Sequence, residues 1–78
     1  MTLDKDRIDD AVLALLYLGL HHEHRAWKGF DWDAMDRLHE RGLISNPKGK
    51  AKSIVFSEVG LKLAEDRCNA LFGVRAEG

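Results

Sequence analysis

Leu38-His39-Glu40-Arg41-Gly42-Leu43-Ile44, then Ser45-Asn46-Pro47-Lys48-Gly49-Lys50, then Ile54-Val55-Phe56-Ser57-Glu58-Val59-Gly60, is the stretch on which the fold turns. Gly42 suits the left-handed position that follows a helix, and Leu43 beyond it can touch Leu38, as a Schellman ending requires. Leu43-Ile44-Ser45 reads as a short strand and Asn46 to Lys50 as a turn. Lys52 to Ser57 reads as a return strand carrying β-branched and aromatic residues. Ser57 is then the N-cap of a last helix running to about Phe72, before Gly73. Its apolar stripe is Leu61, Ala64, Cys68, Leu71 and Phe72.

Working outward toward the N-terminus, residues from about Asp31 to Arg41 predict a helix. Asp31 is a good N-cap, and Phe30 and Met35 have the spacing of a hydrophobic staple. Trp32, Met35 and Leu38 form its expected buried face. Before it, roughly Asp4 to His24 predicts a longer helix. Ile8, Val12, Leu15, Leu16 and Gly19 repeat as a core-facing stripe. Acids fill its first turns and His21, His22, His24 and Arg25 its other end, as the helix dipole favours. Leu13, Tyr17 and Leu20 make a second apolar face that one small core does not easily cover.

The chain has 78 residues, the size of one domain. Residues 1–78 read as a single unit, mainly α with a small β-hairpin: about three helices and a two-stranded wing. A core this small is marginal, and such domains need a staple. Cys68 is the only cysteine, so no intrachain disulfide forms and a reducing compartment fits. The start, MTLDKDRIDD, lacks the cationic region of a signal peptide. The longest apolar run, Ala11 to Leu20, is half of the roughly 20 residues a membrane span needs. The expectation is a cytoplasmic protein with no membrane association.

Net charge is −1, unevenly spread. Residues 1–40 hold nine acids and five bases, whereas residues 41–52 hold Arg41, Lys48, Lys50 and Lys52 and no acid. Bulk charge therefore excludes a general polyanion binder, while one short segment could meet phosphates.

The ordering of helix, LHERGLI, Gly/Lys-rich hairpin and VFSEVGLKLAE resembles the end of a winged helix-turn-helix domain. In that class a recognition helix finishes in an L-x-x-x-G-L-I run, here Leu38 to Ile44, and a T/S-x-x-G opening, here Ser57 to Gly60, starts the next helix. The likeness covers about residues 31–66. The chain is also similar to a family of small uncharacterised bacterial proteins sharing the core HHEHRAWKGFDWDAMDRLHERGLI, which implies no particular activity. The winged-helix resemblance implies a DNA-binding regulator. Two features depart from it. Only Glu23 to Gly29 is free to form the helix expected before the recognition helix. The recognition helix itself carries Asp31, Asp33, Asp36 and Glu40 against Arg37 and Arg41, and phosphate contacts need cations.

Other residue sets admit a chemical and a structural reading. His21, His22, Glu23, His24 and His39 are candidate zinc or nickel ligands, but real sites need three or four convergent ligands. Dipole-complementing histidines explain them as well. Trp27, Phe30 and Trp32 could stack bases, yet acids lie between them and core packing is the simpler account. Cys68 falls on an apolar stripe, where an inert buried thiol is expected. Lys48, Lys50 and Lys52 either contact phosphates or keep an edge hairpin soluble.

The expectation is a non-enzymatic interaction or dimerisation domain with a degenerate winged-helix fold, without cofactor, metal or small-molecule substrate. The alternative is a DNA-binding regulator that uses Arg41, Lys48, Lys50 and Lys52. A homodimer through Leu13, Tyr17 and Leu20 would supply the missing staple. A protein partner is also expected, with weak or no binding to duplex DNA.

Overall fold

The computed structural model describes residues 1–74. Its elements are α1 (Lys5–Leu18), β1 (Leu20–His21), β2 (Arg25–Trp27), α2 (Trp32–Glu40), β3 (Ser53–Val55) and α3 (Glu58–Phe72). The expected three helices are present, and the sheet is larger than a two-stranded wing. The order β1-β2-β3 is antiparallel throughout. Ile44 adds a single bridge to Phe56. The architecture is mainly α and compatible with a winged-helix-like core.

The principal difference lies at the end of α1. Asp4 caps the helix, accepting from the Asp6 and Arg7 amides. The helix ends at Leu18 with Gly19 as its C-cap, six residues short of the expected His24, and the chain turns back as a hairpin. Leu20 pairs with Ala26 and His21 with Arg25. His22 and Glu23 occupy the left-handed region, with φ of 49° and 69°. L-residues enter it at a cost, so the pairing of β2 with β3, not local preference, holds this turn.

α2 follows its sequence reading closely. Asp31 Oδ2 accepts from the Ala34 amide. Gly42 has φ of 76°, its amide donates to His39 O, and Leu43 donates to Leu38 O. Those two bonds are the paired hydrogen bonds of a Schellman ending. The expected strand 43–45 shrinks to one bridge plus a bond from the Ser45 amide to Val55 O.

The core gathers Val12, Leu13, Leu16, Ala26, Ala34, Met35, Leu38, Leu43, Ile44, Ile54, Phe56 and Ala64. α1 packs chiefly on α3 and secondarily on α2. From the expected buried faces of α2 and α3, Leu38 and Ala64 are buried, together with Leu43, Ile54 and Phe56, and Leu61 packs on the rim. Trp32 is instead 56% exposed, because α2 turns Ala34, Met35 and Leu38 inward. Leu71 and Phe72 are also exposed: they continue the α3 stripe past the end of the core. Cys68 is buried in that stripe.

α1 is rotated relative to its expected register. Leu13 is fully buried, and Tyr17 and Leu20 pack half-buried against the same core. These residues were the expected dimer surface, and Leu13 is not available to one. Leu15 and Leu18 face solvent in their place. The physical reason is the partner geometry. α1 is covered by α2, α3 and β2 together, so its buried arc is wider than one stripe.

One charged side chain sits in this interior. Asp9 is 2% exposed and takes a forked ion pair from Arg37, with Nε 3.0 and 2.9 Å from its two oxygens and one terminal nitrogen 2.7 Å from Oδ1. The hydrogen bond to Asp9 holds the Arg37 guanidinium above its ordinary pKa, against the pull of desolvation, with Asp31 and Asp33 adding to it. An Arg fork matches a carboxylate in this way, and the pair fastens α1 to α2. Asp10 and Arg67 make a second, more exposed pair at 3.2 Å.

Candidate functional site

Strand alternation gives the sheet two unlike faces. Leu20, Ala26, Ile54 and Phe56 point into the core. The opposite face carries His21, Arg25, Trp27, Ser53 and Val55, which the register places side by side: His21 beside Arg25, Arg25 beside Val55, and Trp27 beside Ser53. Trp27 is 60% exposed although it ends the central strand. Its ring lies 4.5 Å from that of His21, tilted by 36°, and His21 also meets the His22 ring edge-on. One side of the indole is thus supported, and much of the residue faces water. Sequence reading missed this surface because it placed residues 20–24 on a helix, where period-two neighbours diverge.

The wing does not project. The Pro47 side chain is fully buried. The Lys28 ammonium donates to Pro47 O and Gly49 O, each at 2.6 Å, tying the loop to the segment after β2. Asn46 Oδ1 accepts from the Lys48 amide. Lys48 extends toward α2, 3.6 Å from Asp36. Lys50 and Lys52 remain exposed at the Trp27 end of β3, where Lys52 O accepts the Lys28 amide. Arg41 caps the end of α2 and is also exposed. The four expected phosphate-contacting residues are therefore divided. Two lie beside the sheet, Lys48 is paired to an acid, and Arg41 ends a helix.

α2 offers little to a polyanion. Its solvent side presents Trp32, Asp33, Asp36, His39 and Glu40, while Arg37 is committed to Asp9. Taken by segment, residues 20–28 and 41–56 hold Arg25, Lys28, Arg41, Lys48, Lys50 and Lys52 against the single acid Glu23, so the remainder of the chain is strongly acidic. The fold places β2 against β3, which brings Lys28 to the 46–52 loop and sets Arg25 at the other end of the strand, across from Val55. The two exposed tryptophans differ accordingly: Trp27 lies between Arg25 and Lys28 in sequence, and Trp32 between Asp31 and Asp33.

The histidines are dispersed. His21 is on β1, His22 and His24 are in the turn, and His39 Nδ1 lies 3.0 Å from Ile44 O. Among the described residues, no three His, Cys, Asp or Glu side chains are placed to share a metal ion. An open cleft of about 540 Å³ is lined by Met1, Leu3, Lys5, Ile8, Asp33 and Arg37, among others. Its one arginine is the residue that pairs with Asp9. Among the described residues, no helix is long and apolar enough to cross a membrane.

Comparison with known proteins gives relatives without an assigned role. The family described as Domain of unknown function (DUF6429) matches residues 4–74. The chain is 58% identical over 72 residues to "Uncharacterized protein y4hR" of Sinorhizobium fredii (strain NBRC 101917 / NGR234), across 92% of this chain and 97% of that relative. No solved structure matches it.

Proposed function

The chain belongs to the DUF6429 family, and on that premise we propose that it is a non-enzymatic interaction domain. Its contact surface is the outer face of the sheet, not α2. The observation that carries this reading is Trp27, a large aromatic left 60% exposed on a strand rather than on a loop. Exposed apolar surface on a small protein marks a place where something else is bound. α2 is disfavoured as a groove-reading helix because its solvent side is acidic, and three cations in a loop give only a weak, salt-sensitive attraction to duplex DNA. A salt-titrated mobility shift with duplex DNA tests this. The expected result is weak or no retention at about 0.15 M salt. Tight, sequence-specific retention there would replace this reading with that of a DNA-binding regulator.

A homodimer remains part of the proposal, with a different surface. Leu15 and Leu18 on α1 and Leu71 and Phe72 on α3 are among the exposed apolar residues of the helices. A two-fold pairing covers one patch with its own copy. Sedimentation of the parent and of a Leu15→Glu/Leu18→Glu variant decides this. A parent that stays monomeric at tens of micromolar removes the dimer from the proposal.

A further inference from the structure

We propose that the outer face of the sheet binds single-stranded nucleic acid, with a base stacked on Trp27 and the adjoining phosphates held by Arg25, Lys50 and Lys52. This rests on the reading that the sheet face is the contact surface, and it names the partner. Three observations converge on it. The Trp27 ring is supported by His21 at 4.5 Å, so it is held in place while 60% of the residue stays open to solvent. Arg25 lies on the same face, directly across from His21 and Val55. Exposed Lys50 and Lys52 continue the positive charge past the Trp27 end of β3.

An aromatic platform set among cations is the arrangement that takes unpaired bases, because every base has a π-face and every linkage a charge. Duplex DNA hides those faces within its stack. An acidic protein segment would satisfy the cations but would leave the indole without a planar partner. The ligand therefore has both a planar ring and a negative charge, repeated along a flexible chain.

Trp32 supplies an internal control. At 56% it is nearly as exposed as Trp27, but it stands between Asp31 and Asp33 at the start of α2. Exposure alone would make the two tryptophans equivalent, whereas the charge around them makes only Trp27 a nucleic-acid contact.

The experiment is fluorescence anisotropy of a labelled oligothymidylate of about twelve nucleotides, long enough to span one small domain. The parent, Trp27→Ala, Trp32→Ala and Arg25→Ala are compared, with circular dichroism confirming that each is folded. The parent is expected to bind, with affinity falling as salt rises. Trp27→Ala should weaken binding about tenfold or more, the loss of one base stack. Trp32→Ala should leave it within about twofold, and the matching duplex should bind more weakly than the single strand. A parent that does not bind at low salt overturns the proposal. So does a Trp27→Ala variant that binds like the parent. If binding falls in Arg25→Ala only, or polyglutamate competes as well as unlabelled oligonucleotide, the nucleic-acid assignment fails while the sheet face stands as a contact surface. Tight duplex binding unaffected by either sheet-face substitution would remove both.

Discussion

Gly60 is the position where the backbone leaves least room. A Cβ built there would lie 1.9 Å from Leu43 O, 2.6 Å from Leu43 C and 2.8 Å from Leu43 Cα. All three are backbone atoms, so no rotamer change relieves the overlap. Moving the oxygen out to an ordinary 3.4 Å requires the start of α3 and the chain at Leu43 to separate by about 1.5 Å. That separation would break the join between them. The Ser57 amide donates to Leu43 O at 3.0 Å, and Ser57 Oγ donates to Gly42 O at 2.7 Å. Two lost hydrogen bonds cost about 1 kcal/mol each, and overpacking adds about 1–3 kcal/mol. Replacing a helical glycine by alanine returns at most about 1 kcal/mol. Gly60→Ala should therefore destabilise by about 2–4 kcal/mol, lowering the melting temperature by at least about 8 °C at 4–8 °C per kcal/mol. Urea and thermal unfolding followed by circular dichroism measure it. Gly29→Ala, whose added methyl group meets nothing within 4 Å, is the control and should be close to neutral. The helix-propensity and close-approach effects have opposite signs. A Gly60→Ala protein as stable as the parent, or more so, would show that α3 does not cross Leu43 this closely.

Glu23 has φ of 69° with no glycine to relieve it, so Glu23→Gly should raise stability by about 1 kcal/mol, seen as a higher urea midpoint; a lower one would refute the turn geometry. Leu38 is fully buried between α2 and the core, and Leu38→Ala should cost about 2–5 kcal/mol, enough that the variant is mostly unfolded by circular dichroism at ambient temperature. A variant melting like the parent would show the α2 register to be wrong. Asp9→Asn should lower the melting temperature well beyond Asp10→Asn, because the Asp9 side chain is 3% exposed and that of Asp10 35%; buried ion pairs are costly to break on one side and exposed ones are not. Equal melting temperatures would mean that the Asp9–Arg37 pair does not fasten α1 to α2.

Much of the fold was legible wherever local chemistry and tertiary structure agree. Asp31 and Ser57 cap helices as read, and Gly42 with Leu43 closes α2 as read. The Ser57-x-x-Gly60 motif now has a physical content: the hydroxyl accepts the Gly60 amide while the missing side chain lets Leu43 pass. The β1–β2 hairpin was not legible. Its turn residues are His22 and Glu23, not the Asn-Gly or Gly-Gly pair that announces such a turn. Leu18, Leu20 and His21 also continue a helical pattern in the sequence. Only pairing with β3, about thirty residues further on, decides between helix and strand there. Trp27 was weighed as core because its exposure follows from that same long-range pairing. The candidate site is thus the part of the molecule that a local reading reaches last.

α1 rests mainly on α3, so the first and last helices of the described fold lie against each other. Leu13 and Leu16 are fully buried on α1, whose chief packing partner, α3, is made last. During synthesis α1 therefore emerges well before its main partner, and although β2 and α2 follow it first, its full closure must wait for residues beyond Glu58. Contacts of such long sequence separation slow folding, because loop entropy is spent before any packing offsets it. Truncation within α3 would not trim an edge of this domain; it would take away the surface on which the N-terminal helix closes.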